Sequence, residues 1–362
     1  MRTQNIFLSA TRCPVGAFSL LTVVALSISL SRENAVAADK ADIQLVTSVI
    51  NATNEYQLNW VKGSQAFAES VGLPLKVVNS NGDSSQEISQ IQAILAAGKK
   101  VVLTVNPVAS ADVPAIVKAV CASGGYVVTQ WNKPAEFQVK GQGDCYVAHI
   151  GFDGYAAGEY TASKLFEAMG GSGGVIALQG VLDSTAQQQR WVGFQRALKN
   201  YPGIKLLGEQ AANWDQQQGY KAARTLEAQF GDQLKGVWGA SDSMTLGAVS
   251  AMKAAGRDDV KFAGIDGVSQ AIDMIKNGNS YVATWAADPW YSGAIGLAIG
   301  YAAATGKLDV AQMTDDQRDG TYRQVGVDKS NVGEYATPPN AQKIMTEVNK
   351  GPFDRQIGPA LR

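Results

Sequence analysis

Residues 43–71 read IQLVTSVINATNEYQLNWVKGSQAFAESV, and this stretch decides the fold. The β-branched run over 43–50 predicts a buried strand, and the amphipathic run over 57–71 predicts a helix. Amide side chains fill the turn between them. A strand followed directly by a helix is the repeating unit of parallel α/β sheets.

The same unit recurs along most of the chain. Helices of 10–15 residues that alternate with strands indicate parallel sheets covered on both faces. The strands come in two blocks of five, which predicts an α/β fold of two doubly wound parallel-sheet lobes. The predicted strands are 43–50, 75–79, 101–105, 126–130, 146–150, 174–179, 204–211, 236–240, 260–265 and 281–285. The predicted helices are 57–71, 85–97, 111–123, 155–169, 186–200, 216–229, 242–255, 268–277 and 290–305.

We predict that the chain enters each lobe more than once, which makes a multi-strand hinge. The predicted helix 290–305 follows the second block, which has no strand left for it to cover. The chain should therefore return to the first lobe near residue 286 and cross again near 321. The expected parts are a signal peptide (1–37), an N-terminal lobe (41–148 and 287–320), a C-terminal lobe (149–286 and 321–345) and a tail (346–362) that wraps the surface.

The N-terminus has the pattern of a secretory signal. Arg2 and Arg12 precede an apolar run from Val15 to Leu30, and Ala35-Val36-Ala37 is a small-residue cleavage pattern. The alternative is a membrane anchor, but the apolar run of about 16 residues is shorter than the roughly 20 that a spanning helix needs. We therefore expect export, with cleavage near Ala37 and a periplasmic location.

Composition excludes several functional classes. The formal net charge is −1 and His149 is the single histidine, which argues against a nucleic-acid binder and against a two-histidine metal site. Phosphate-loop, nucleophile-elbow, zinc-protease and CxxC motifs are absent from the sequence. Asp183 and Asp266 could form a carboxylate pair for glycoside hydrolysis, but their spacing in sequence gives no distance and no other feature marks an acid–base pair. We expect no enzyme, no cofactor and no metal.

The cysteines bear on the compartment. Cleavage removes Cys13 and leaves Cys121 and Cys145, an even pair in an oxidising compartment. This favours one disulfide, against the alternative of two buried free thiols.

Amide and aromatic side chains follow the predicted strands. Ligands of open parallel sheets bind beyond the carboxyl ends of the strands, so these residues are the candidate site. Planar amides suit hydroxyl groups, and aromatic rings suit the C–H faces of a sugar or polyol. Asn side chains also cap helices and form turns, which is the structural alternative for each of them.

Short motifs occur in a fixed order between residue 43 and about residue 308. They are Val46-Thr47-Ser48, Gly63-Ser64-Gln65, Asn106-Pro107, His149-Ile150-Gly151-Phe152-Asp153, Leu178-Gln179-Gly180, Gly193-Phe194, residues 240–248, Gly264-Ile265-Asp266-Gly267 and Ala283-Thr284. This ordered series resembles the periplasmic sugar-binding proteins of the ribose-binding type, which serve ABC importers and have the periplasmic binding protein type 1 fold. LacI-type repressors share that fold, but a signal peptide stands where their helix-turn-helix would be.

The resemblance implies a ligand site and a membrane permease as partner, with a monomeric protein expected. The chain has Trp131-Asn132 where the family usually has an Asp-Arg pair, which favours a sugar alcohol or other polyol over ribose. The alternatives are a monosaccharide, or a furanosyl signal molecule that feeds a chemoreceptor. The implied ligand-binding residues are Asn54, Tyr56, Gln57, Asn106, Trp131, Asn132, Gln188, Arg190, Trp214, Ser241, Asp266 and Trp285.

Overall fold

The computed structural model describes residues 42–278, 280–335 and 339–361, and the strands within them form two sheets. The first sheet contains β1 (Ile43–Val49), β2 (Leu75–Asn79), β3 (Lys100–Val105), β4 (Tyr126–Gln130), β5 (Tyr146–Gly151), β11 (Asp319–Tyr322) and β13 (Gln356–Pro359). The second contains β6 (Ser172–Gln179), β7 (Gly203–Ala211), β8 (Leu234–Gly239), β9 (Lys261–Ala263), β10 (Tyr281–Ala286) and β12 (Val325–Asp328).

Both sheets are dominated by parallel pairing. Their strand orders are β13-β11-β5-β4-β3-β1-β2 and β12-β10-β9-β8-β6-β7. The β11–β13 and β10–β12 pairs are antiparallel, and the remaining neighbours are parallel. The predicted fold of two parallel-sheet lobes is confirmed, because β1–β5 lie in one sheet and β6–β10 in the other.

The helices start directly after the strands, where Asn, Asp or Ser supplies the N-cap. Asn54, Asp153, Ser184 and Ser241 each accept a hydrogen bond from a backbone N–H in the first turn of the following helix. The helices are α1 (Glu55–Val71), α2 (Ser84–Leu95), α3 (Val113–Ala122), α4 (Gly154–Ala168), α5 (Thr185–Asn200), α6 (Gln216–Phe230), α7 (Asp242–Ala254), α8 (Ser269–Lys276), α9 (Pro289–Ala304), α10 (Asp315–Arg318) and α11 (Ala341–Val348).

Helices cover both faces of the first sheet. All seven residues of β1 are buried. Leu45 and Val49 belong to the core beneath α1 and α9, whereas Val46 points to the opposite face and packs with residues of α2 and α3. This two-sided burial explains why the strand is a continuous apolar run.

Helix α9 returns to the first sheet and packs on α1, β3 and β4. It approaches α1 closely at Gly293, where an added Cβ would lie 2.1 Å from the Trp60 carbonyl oxygen. The chain then crosses twice more, since β11 is in the first sheet, β12 in the second and β13 in the first again.

The C-terminal residues differ from the expected surface tail. Residues 341–348 form α11, and β13 pairs with β11 at the edge of the first sheet. Sequence patterning misses β11, β12 and β13 because each has only four residues, too few to show a period. Cys121 and Cys145 form a disulfide that joins the end of α3 to the start of β5, with Cα atoms 5.3 Å apart.

None of the helices that the structure describes has both the length and the apolar character to cross a membrane.

Candidate functional site

A cavity of about 40 Å³ lies between the two lobes, at the carboxyl ends of their strands. Segments after β1, β3 and β4 form one wall, and α5 with the segments after β7, β8 and β9 forms the other. The lining residues are Ile50, Asn54, Tyr56, Gln57, Asn106, Trp131, Asn132, Ser184, Ala186, Arg190, Trp214, Ser241 and Asp266.

Ten of the twelve residues predicted from sequence line this cavity, and Gln188 and Trp285 do not. Gln188 is exposed because it lies on the outward face of α5, and its Nε2 donates to the Leu182 carbonyl. Trp285 packs edge-to-face on Tyr160, and its Nε1 donates to Gln324 Oε1. The structure thus places both residues outside this cavity.

The structure adds Ile50, Ser184 and Ala186 to the lining. Ala186 lies four residues before Arg190 on α5, so both project from one helix face. Because Arg190 is predicted as a site residue from the sequence, this helical spacing also indicates Ala186. Ile50 is apolar and has no chemical feature that would single it out.

The Arg190 guanidinium lies between two indole rings, one from each lobe. Its central carbon is 4.7 Å from the Trp131 ring centroid and 5.5 Å from that of Trp214. Nη1 donates to the Ala240 carbonyl at 2.6 Å. The side chain is thus fixed by a backbone hydrogen bond and two cation–π contacts.

The second lobe contributes two buried carboxyl groups: Asp266 lines the cavity, and Asp242 lies behind it. Asp266 Oδ1 is 3.6 Å from Arg190 Nη1, and burial raises the pKa of Asp266 to about 8 although Arg190 acts in the opposite direction. Asp242 accepts hydrogen bonds from Tyr281, from Thr284 and from the backbone N–H of Gly267. Asp242 therefore holds the segment that carries Asp266.

Three buried polar atoms at the cavity have no hydrogen-bond partner among the described residues: Asn106 Oδ1, Arg190 Nε and Trp214 Nε1. Two are N–H donors and one is a carbonyl acceptor. Buried groups of this kind are normally paired, so they mark positions where a polar ligand atom fits.

Other amides at the site are already used by the protein. Asn54 Oδ1 caps α1 through the N–H of Gln57. Asn132 Nδ2 donates to the Pro107 carbonyl, and its Oδ1 accepts from the N–H of Ala186 in the other lobe. Asn132 thus contributes mainly to the arrangement of the walls.

Backbone strain is concentrated at the site. Trp131, Trp214 and Asp266 have φ values of 67°, 63° and 134°, in the left-handed region that non-glycine residues rarely adopt. Such conformations persist where the surrounding structure fixes them, and they cluster at ligand sites.

The described residues contain no group of three or more His, Cys, Asp and Glu side chains that could hold a metal ion.

Comparison with known proteins places these features in a family. Residues 45–308 match the model described as a periplasmic binding protein domain. The chain is 30% identical to a ribose import binding protein of Salmonella typhimurium over 78% of this chain and 90% of that protein. It is 25% identical to a xylitol-binding protein of Mycolicibacterium smegmatis, over 88% and 86% of the two chains.

Among solved structures, a twin-arginine translocation pathway signal protein from Burkholderia phytofirmans superposes with a TM-score of 0.84 at 37% identity. The match covers 88% of this chain and 98% of that one.

Proposed function

Since the chain belongs to the periplasmic binding protein family and is a solute-binding protein of the sugar and polyol ABC importer type, we propose that its ligand is a sugar alcohol or other small polyol. Its relatives are transport proteins, so it is not an enzyme. The family implies a membrane permease as the partner that receives the ligand.

The observation that carries this proposal is the set of three unpaired polar atoms at the cavity. Asn106 Oδ1 requires a donor, whereas Arg190 Nε and Trp214 Nε1 require acceptors. A hydroxyl group supplies both functions, and a row of hydroxyls on a carbon chain satisfies all three atoms.

A polyol is preferred over an aldopyranose because of what surrounds Trp131. The sugar binders that this chain resembles usually have an Asp-Arg pair at Trp131-Asn132, and the Asn132 amide is occupied by Pro107 and Ala186. No free charged pair is left on this wall to grip a ring oxygen and an anomeric hydroxyl. The relative named as a xylitol-binding protein supports the same ligand class.

In the proposed mechanism, binding involves no chemistry. Asn106 and Trp131 contact the ligand from one lobe, and Arg190, Trp214 and Asp266 contact it from the other. Ligand contacts to both lobes at once stabilise the closed arrangement and shift the population towards it. In this proposal, the walls are shaped and supported by the polar cavity residues Asn54, Tyr56, Gln57, Asn132 and Ser241.

Export is part of the proposal. Family membership implies an exported protein, and we propose cleavage of the N-terminal signal near Ala37, which lies outside the described residues. The mature protein would then act in the periplasm.

A thermal-shift panel tests the ligand class. Xylitol, ribitol, sorbitol, myo-inositol, ribose and glucose are each added to the purified mature protein. A ligand that binds only the folded state raises the melting temperature, by an amount that grows with the ratio of its concentration to its Kd. The proposal expects the largest rise from an acyclic polyol. A rise confined to ribose or glucose would replace it with the monosaccharide alternative.

A further inference from the structure

Two helices of the second lobe receive part of their N-terminal capping from the first lobe. The N-cap position of α8 is Val268, whose side chain cannot accept a hydrogen bond. The N–H of Ser269 instead donates to Glu55 Oε1 at 2.9 Å, and Ser269 Oγ donates to Glu55 Oε2 at 2.8 Å. Glu55 is the first residue of α1, in the opposite lobe.

The same arrangement recurs at α5. The N–H of Thr185 donates to Ser110 Oγ at 2.9 Å, and the N–H of Ala186 donates to Asn132 Oδ1 at 3.3 Å. In return, the N–H of Ser110 donates to the Asp183 carbonyl at 3.1 Å. Each of these bonds joins one lobe to the other.

We propose that Glu55 and Ser110 are positioning residues that set ligand affinity by stabilising lobe closure, through helix caps supplied across the cleft. Neither residue lines the cavity. Opening separates the lobes and leaves the first N–H groups of α5 and α8 without these protein acceptors. Because an N-cap stabilises its helix, the closed arrangement gains stability that does not depend on ligand contacts.

This mechanism predicts how affinity responds to each residue. A ligand that binds the closed arrangement has an apparent Kd that rises as the closed fraction falls. Loss of a cross-lobe cap therefore weakens every ligand by one common factor. Loss of a ligand-contacting residue changes the affinities of different ligands unequally. The inference rests on the proposed function only where ligand affinities are measured; the effect on lobe closure does not depend on it.

The sharpest variant is Ser269→Pro. Proline has neither the N–H nor the hydroxyl that bond to Glu55, and it is favoured at the first position of a helix. Val268 already has the extended backbone (φ −68°, ψ 153°) that a following proline requires. The change thus removes the cross-lobe contact while it preserves α8. Glu55→Ala removes the same contact from the other side.

The control is Glu69→Ala, a second acidic residue of α1. Glu69 is exposed and accepts a hydrogen bond from Gln65 on its own helix. Glu69→Ala thus reproduces the charge change without affecting a cross-lobe bond.

The test measures the lobe–lobe distance distribution without ligand, by spin labels at exposed Lys118 and Lys221 in the mature protein. We expect Ser269→Pro and Glu55→Ala to shift the distribution towards longer distances, and Glu69→Ala to leave it unchanged. This arm needs no ligand, so its result is independent of whether the proposed ligand class is correct.

The second arm measures the Kd values for xylitol and ribose, whichever of them bind. We expect Ser269→Pro to weaken each by the same factor, about fivefold. Distance distributions identical to the wild type, an unchanged Kd for a ligand that binds, or unequal affinity losses when both ligands bind would overturn the proposal.

Discussion

At the scale of single residues, Asp266 is the acidic group of the cavity wall that should matter most for binding. Its carboxyl faces Arg190 and lines the cavity. We expect Asp266→Ala to weaken ligand binding by roughly 1–3 kcal/mol, since the truncation leaves the ligand hydroxyl that bonds to this carboxyl buried without a partner. Calorimetric titration measures the loss. The control Asp232→Ala removes an exposed carboxylate and should bind as the wild type does; equal affinities for both variants would remove Asp266 from the site.

Glu87, a buried residue outside the cavity lining, should make the stability of the protein depend on pH. It accepts a hydrogen bond from Ser48 Oγ at 2.6 Å and another from the N–H of Val108, near Asn106. Burial raises the pKa of Glu87 to about 7. The folded state therefore holds this proton between about pH 4.5 and 7 while the unfolded state has released it, so the contribution to stability falls as pH rises.

Urea unfolding of the wild type and of Glu87→Gln from pH 4.5 to 8 tests this sign. The free energy of unfolding of the wild type should decline relative to the variant across that range. A constant difference between the two proteins would contradict the raised pKa.

The sequence predicts Trp131 and Trp214 as cavity residues because the carboxyl ends of parallel strands meet at one edge. The same rule fails for Trp285. On β10 alternate side chains point to opposite faces, and Thr284 bonds to Asp242 while Trp285 packs on Tyr160. A strand end known only to within one residue does not determine which face its last side chain occupies.

At the scale of elements, the strand that ends at Gln179 positions Trp214 through Gly180. A Cβ added to Gly180 would lie 2.1 Å from the Trp214 ring. We expect Gly180→Ala to displace the indole, weaken ligand binding at least tenfold and change the tryptophan fluorescence. In the control Gly333→Ala, the added Cβ has open space around it. Unchanged binding by Gly180→Ala would show that the position of Trp214 does not matter.

Long helices and strands could be predicted from the sequence, whereas elements of only a few residues could not. The strands β1–β8 and β10 and the helices α1–α9 follow from apolar periodicity and from Asn, Asp or Ser caps at most helix starts. Strand β9 comprises Lys261–Ala263 and is shorter than the predicted 260–265, although the N–H groups of Gly264 and Asp266 still donate to carbonyls of β10. Helices α10 and α11 have four and eight residues, and their contacts with distant parts of the chain stabilise them.

At the scale of the whole molecule, two lobes arise from one repeating βα unit, and the cavity lies where their strand ends face each other. The sequence predicts this arrangement because each block of five strands must bury its own sheet. It does not predict the bonds between the lobes, since Glu55 and Ser269 are distant in sequence and carry no pattern that relates them.

The central claim is that the cleft binds an acyclic polyol in preference to an aldopyranose. Calorimetric titration of the mature protein with xylitol and with ribose, under identical conditions, tests it most directly. We predict that xylitol binds with a micromolar or lower Kd and at least tenfold more tightly than ribose. Tight binding of ribose with no heat from xylitol would contradict the account.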